Sequence, residues 1–426
     1  MEFSLNTAFN ASAEIADSAA YPGLRMATAA RAVADAPQHD VGDKTGGAGV
    51  YANSSWAVSG PGAFSPVGGV GFSWFSAVCY LFGRETYKAL GGKVPIGLVA
   101  SDWGGQPIEV FASPDALADK TCGGTVAAPD DESSASGGGA AVAIAAGAPR
   151  RRLVGASELW YAMIEPFAQM RFAGAVWYQG ENNAGYPHQY GCTFPAMIAD
   201  WRAKFDLPEM SFFFVQLAAY VNVNYAAIRN AQMAALKLPK VGYAVAIDLG
   251  DAHSPVNPIH PRRKQEVGRR LALAAQAVQY GMPVVSTGPV FAKAAVTAAA
   301  TAAAAAAAAT TTTLTVSFAQ GTAAGLHQAP TADCDQVGSK LCCGESPFEV
   351  QVEVAGVRTW MRTTYKVAGE QVVLDVPANA TAPAAARYAW EAYPQCSLYN
   401  GVGGCDDHTG IAATPWCWDG QKPCAY

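Results

Sequence analysis

Charge is scarce in this chain. Only 15% of its 426 residues are Asp, Glu, Lys or Arg, and the formal net charge is -6 at pH 7. The longest basic runs are Arg150-Arg151-Arg152 and Arg262-Arg263-Lys264. A nucleic-acid footprint needs a denser basic patch, so no nucleic-acid partner is expected. Long apolar runs are missing too. The segment from Ala294 to Ala309 is mostly Ala with Thr, too weakly hydrophobic for a spanning helix, so no membrane partner is expected. The 10 cysteines lack the paired CxxC…CxxC pattern of a zinc site. Disulfides are therefore favoured over metal. Sequons at Asn10, Asn53 and Asn379 fit a secreted, lysosomal or lumenal chain, although no signal-peptide pattern stands at Met1.

What is present is core material: 51% hydrophobic and 10% aromatic residues. At about 150 residues per domain the length predicts two or three domains. From about residue 70 to 280, helical periodicity and short apolar runs alternate. Helices are predicted over 73–90, from a Ser157 cap through Met170 with a break at Pro166, and over 190–205, 226–236 and 261–280, the last with Pro261 in its first turn. Strands are predicted over 93–100, 173–178, 212–218 and 243–249. These runs are continuous rather than alternating, which implies a parallel sheet covered on both faces. Beyond 285 the pattern changes to Ala/Thr low complexity over 292–313. Period-2 runs then follow, such as Phe348–Val354 and Gln371–Val376. The expected layout is an α/β domain over 1–285, with a flexible Gly/Ala/Ser insertion at 127–149, and a smaller Cys-containing β-rich domain over 286–426.

In a parallel α/β sheet, ligands bind at the carboxyl ends of the strands. Three such ends carry polar loops: Ser101-Asp102-Trp103-Gly104-Gly105-Gln106-Pro107-Ile108-Glu109, Trp177-Tyr178-Gln179-Gly180-Glu181-Asn182-Asn183, and the stretch from Asp248-Leu249-Gly250-Asp251 to Ile259-His260-Pro261. Gly104 and Gly105 let backbone N–H groups approach a substrate oxygen. Asn183 offers a side-chain donor to the same oxygen. His260 is a candidate general base, with Asp248 and Asp251 as candidate orienters. Each loop also has a plain structural reading: Gly104-Gly105 as a turn, Gln179, Glu181 and Asn183 as helix caps, and His260 as a helix-entry residue.

The same loops, with SAVCYLFGR (76–84), LWYAMIEP (159–166), CTFPAMIADWR (192–202), FFFVQLA (212–218), IHPRRKQ (259–265) and RYAW (387–390) in the same order, resemble the sialate O-acetylesterases, SGNH-type hydrolases. The resemblance implies a three-layer α/β/α fold and removal of acetyl groups from an O-acetylated sugar, sialic acid above all. It implies a Ser/His acyl-enzyme route without cofactor. By the same resemblance His260 is the base, Gly104 or Gly105 the oxyanion-hole glycine, and Asn183 an oxyanion or positioning residue. Gln179 and Glu181 shape the pocket. Where SGNH enzymes often carry an Asp before the His, this chain has Asn257 and Pro258. The opening Met1-Glu2-Phe3-Ser4 resembles the end of the family's GQSNMxF nucleophile loop, so the nucleophilic Ser and its strand are expected upstream of Met1 and the sequence as it begins is expected to hydrolyse little. Two other readings are a carbohydrate-binding pseudoenzyme and an acetyl esterase of plant polysaccharides.

Overall fold

The computed structural model describes residues 1–41, 56–64, 75–119, 122, 154–300, 310–332, 342–377, 383–401 and 410–424. The insertion expected at 127–149 and the sequons at Asn53 and Asn379 lie outside them. The chain divides into two compact units. The first comprises Met1–Leu217, Ala231–Ala244 and Arg262–Val284; the second comprises Ala218–Asn230, Val245–Pro261 and Val285–Tyr426.

The first unit contains two three-stranded sheets. β1 (Leu24–Thr28), β2 (Ala57–Val58) and β3 (Ile96–Ala100) run in the order β2-β1-β3. β4 (Gly174–Trp177), β5 (Ser211–Gln216) and β6 (Val241–Val245) run in the order β4-β5-β6, and Val245 is where the chain passes into the second unit. β1 pairs parallel with β3, from Leu24↔Ile96 to Thr28↔Ala100, and β4 pairs parallel with β5. The sequence SFFFVQ of β5 is buried at every position, as expected of a strand covered on both faces.

Helices α1 (Ala11–Asp17), α2 (Ala77–Ala89), α3 (Pro114–Leu117), α4 (Pro187–Lys204), α5 (Ala226–Gln232) and α6 (Lys264–Val278) complete the α/β pattern. Ser76 caps α2 by accepting from the Cys79 N–H at 3.2 Å. Aromatic rings fill the space between α4 and the sheet, with Trp177 and Phe194 6.2 Å apart and Trp201 and Phe212 6.0 Å apart.

Several boundaries differ from the sequence reading. The helix read from Pro261 starts at Lys264, because residues 254–260 form successive turns ending in the His260 N–H to Asn257 O bond of 2.8 Å. Ser157 is no helix cap; its φ is 63°. The helix expected after it is a π-helix, Trp160–Ile164, running into a 3₁₀ helix, Glu165–Gln169. Pro166 has no N–H to continue an α ladder.

The second unit is β-rich. Its strands are β7 (Phe291–Ala300), β8 (Thr310–Phe318), β9 (His327–Pro330), β10 (Phe348–Val354), β11 (Val357–Arg362), β12 (Tyr365–Ala368), β13 (Gln371–Asp375), β14 (Ala385–Tyr388), β15 (Cys396–Tyr399) and β16 (Trp416–Trp418). They form sheets β11-β10-β14-β16, β12-β13-β8-β7 and β15-β9. The Ala/Thr stretch thus contributes two paired strands on either side of 301–309, in register from Phe291↔Phe318 to Ala300↔Thr310. Phe348, Val350 and Val352 of β10 are buried, and Phe291 stacks on Trp416 at 4.4 Å, joining the two larger sheets. Disulfides Cys343–Cys396 and Cys417–Cys424 staple this unit, and Cys122–Cys192 the first.

The tightest helix contact in the first unit is α2 against α6. A Cβ on Gly268 would lie 2.6 Å from Leu81 Cβ and 2.9 Å from the Phe82 backbone nitrogen. Gly268→Ala is expected to cost about 1–3 kcal/mol by overpacking. Gly62→Ala, which meets nothing within 4 Å, serves as the neutral control. Denaturant melts of both variants check this.

Candidate active site

The first unit brings two of the three polar loops together. Its central element is the Asn183 side chain, which is fully buried. Asn183 Oδ1 accepts from the Ile108 N–H at 2.9 Å and from Gln179 Nε2 at 2.8 Å. Asn183 Nδ2 donates to both oxygens of Glu109, at 3.2 and 3.0 Å. Gln179 Nε2 also reaches the Gln106 carbonyl at 3.2 Å, and Asn182 Nδ2 reaches the Gly105 carbonyl at 2.8 Å. The loop after β4 therefore holds the glycine loop after β3 at four places, Gly105, Gln106, Ile108 and Glu109. Gln232 supports it from below, donating to the Gln179 and Val215 carbonyls at 3.1 and 3.0 Å.

The two glycines differ. The Gly104 N–H donates to the Glu2 carboxylate. Gly105 has a φ of 75°, which favours glycine. Its N–H has no hydrogen-bond partner among the described residues. Asn183, by contrast, turns both ends of its amide toward protein groups. None of Gln179, Glu181 or Asn183 caps α4; the cap residue is Tyr186, without a side-chain bond.

Three carboxyls in these loops are held above their usual range. Burial pushes up Asp102, Glu109 and Glu181. For Glu109 the bonds from Asn183 and Gln189 pull the other way without cancelling the burial. Asp102 Oδ2 and Gln179 Oε1 are buried with no hydrogen-bond partner.

Asp248, Asp251 and His260 belong to the second unit. Asp248 is fully buried; its Oδ2 accepts from the Tyr399 hydroxyl at 3.0 Å and its carbonyl from the Ala332 N–H at 2.8 Å. Asp251, also fully buried, starts the turn series that carries His260. The Asp251 carbonyl accepts from the Ser254 N–H at 3.2 Å, and the Ser254 hydroxyl donates to the His260 carbonyl at 2.8 Å. Among the described residues no group of three or more His, Cys, Asp or Glu side chains could hold a metal ion, and no helix is long and apolar enough to cross a membrane.

Sequence reading gave Glu109, the last residue of the first loop, no role of its own and missed Gln189. Gln189 Nε2 donates to Glu109 Oε1 at 2.9 Å, and Gln189 sits beyond the loops that carried the pattern. The only available signal was an acidic residue inside an apolar run, IEVF. Asn183→Ala is expected to cost about 1–3 kcal/mol, because it strands the buried Ile108 N–H and one side of Glu109. The raised Glu109 carboxyl also gives a pH dependence. The folded protein binds this proton more tightly than the unfolded chain, so the associated stability is complete below the ordinary value of 4.5 and is lost as pH rises through the raised native value. Melting temperature is expected to fall more steeply from pH 4.5 upward in the wild type than in Glu109→Gln.

Comparison with known proteins places these loops in a family. A family model described as carbohydrate esterase, sialic acid-specific acetylesterase, matches residues 136–277. The chain is 33% identical to the sialate O-acetylesterase of Rattus norvegicus over 94% of its own length and 73% of that protein. It is 32% identical to the Mus musculus protein of the same name, again over 94% and 73%. A carbohydrate acetylesterase from Xanthomonas citri, known as a crystal structure, aligns over 98% of this chain and 78% of that one with TM-score 0.69 and 27% identity. The chain belongs to the sialate O-acetylesterase family of ester hydrolases.

Proposed function

We propose that this protein removes O-acetyl groups from sialic acids by an acyl-enzyme route in a secreted or lumenal compartment. The observation that carries the reading is the braced glycine loop, with the Gly105 N–H left for an oxyanion. The family relationship supplies the substrate class. The same reading carries the three-layer SGNH arrangement for the α/β part.

In this reaction a hydroxyl oxygen attacks the acetyl carbonyl carbon while His260 Nε2 takes its proton. The carbonyl oxygen becomes an oxyanion, which a backbone N–H such as that of Gly105 stabilises. Collapse expels the sugar oxygen, which takes the proton from His260. Water then repeats the cycle, releasing acetate and restoring the hydroxyl. Asp251 is assigned as the orienting acid, since the Asp248 carboxylate already receives the Tyr399 hydroxyl and Asp251 opens the turns that end at His260. Asn183 is assigned a positioning role, because both ends of its amide are committed. The disulfides support the oxidising compartment.

Acetate release from O-acetylated sialic acids, against acetylated xylan, tests the substrate. His260→Ala is expected to lower kcat by about 10²–10⁴-fold. Fluorophosphonate labelling followed by peptide mapping identifies the hydroxyl. Binding of sialic acid without turnover, or preference for xylan, overturns the reading.

A further inference from the structure

Glu2 has no role in the site as described so far, yet it reaches the glycine loop directly. Its carboxylate accepts the Gly104 N–H and pairs with Arg31. The Arg31 guanidinium in turn lies over the Trp103 ring, 5.4 Å from its centroid. The Glu2 side chain is only 6% exposed, although the Gly104 amide it meets lies at the surface. A Cβ added to Gly104 would sit 3.0 Å from Glu2 Oε2, whereas one added to Gly105 would meet nothing within 4 Å. One amide of the glycine pair is taken by a carboxylate, and the next has no hydrogen-bond partner among the described residues.

We propose that Glu2 is a positioning residue for the ester hydrolysis. It takes the Gly104 N–H out of the reaction and fixes the Gly104–Gly105 peptide so that, of the two glycine amides, the Gly105 N–H is the one offered to the oxyanion. The inference rests on the esterase reading above. The physical argument is one of geometry. Asn182 holds Gly105 by its carbonyl, and Glu2 holds Gly104 by its N–H, so the intervening peptide is gripped on both sides. Arg31 keeps the carboxylate in place from the far side, and Trp103 keeps Arg31 flat against the loop.

The test compares Glu2→Ala and Glu2→Gln with wild type, using p-nitrophenyl acetate kinetics, thermal melts and hydrogen exchange of the 101–108 backbone. Glu2→Ala is expected to lower kcat by about 10- to 100-fold, the scale of a roughly 1 Å misplacement, with KM changed less than about threefold. Gly104 amide exchange should accelerate. Glu2→Gln keeps an acceptor oxygen and is expected to recover most of kcat. Unchanged kcat in Glu2→Ala overturns the proposal. So does a loss shared equally by both variants and matched by a fall in melting temperature, which would mark a purely structural contact. If the wild type shows no esterase activity, the functional reading fails, while hydrogen exchange still reports whether Glu2 protects the Gly104 amide. Unaltered exchange in Glu2→Ala overturns the positioning proposal by itself.

Discussion

The orientation of one buried amide sets the geometry of the glycine loop. Asn183 Oδ1 faces two donors, the Ile108 N–H and Gln179 Nε2, while its Nδ2 faces the Glu109 carboxylate. Turning the amide over would set oxygen against carboxylate and nitrogen against two N–H donors. The low dielectric of the interior makes each mismatch costly, so only one orientation persists. With it, the ends of β3 and β4 become a single rigid piece. Aspartate has the same shape but would put a second negative charge beside Glu109.

Glu109 is an expensive residue to bury, and the fold meets the cost with neutral amides rather than cations. The contrast is Glu266 on α6, whose carboxylate pairs with Arg270 at 2.6 Å and Arg269 at 2.7 Å. Amides instead fix direction without adding net charge, and leave the Glu109 carboxyl above its usual range. Position is gained here at some expense in stability, which is common where function dictates the chemistry.

The strands and the loops after them were legible because both signals are local. A continuous apolar run such as FFFVQLA and a glycine pair after PIGLVAS are readable within ten residues. The bracing was not legible, because it joins distant positions. Asn183 and Glu109 are 74 residues apart, and Gly104 and Glu2 are 102 apart. No periodicity connects such pairs. Helix starts were misplaced where tertiary turns override a local rule: Pro261 is compatible with a first helical turn, but the turns ending in the His260 N–H postpone the helix to Lys264. Ser157 fits the composition of a cap yet sits at positive φ. The β-rich half was readable by alternation, as in FEVQVEV. The pairing of its Ala/Thr segment was not, since alanine carries no strand preference.

The segment 245–261 is held within the second unit. This stretch carries His260, and it clusters with the C-terminal strands. The reasons are specific. The Tyr399 hydroxyl on β15 holds the Asp248 carboxylate, the Ala332 N–H holds its carbonyl, and the Tyr393 ring packs so closely on Gly250 that a Cβ there would lie 2.6 Å away. Glycine at 250 thus answers to a tyrosine 143 residues later, not to any turn of its own. Asp248, a candidate orienter by sequence, is also a fastening point of the second unit's own core. The polar turns of 251–260 bury little apolar surface that could stiffen them. Asp248 and Gly250, at the head of these turns, are held by Tyr399, Ala332 and Tyr393 of the same unit.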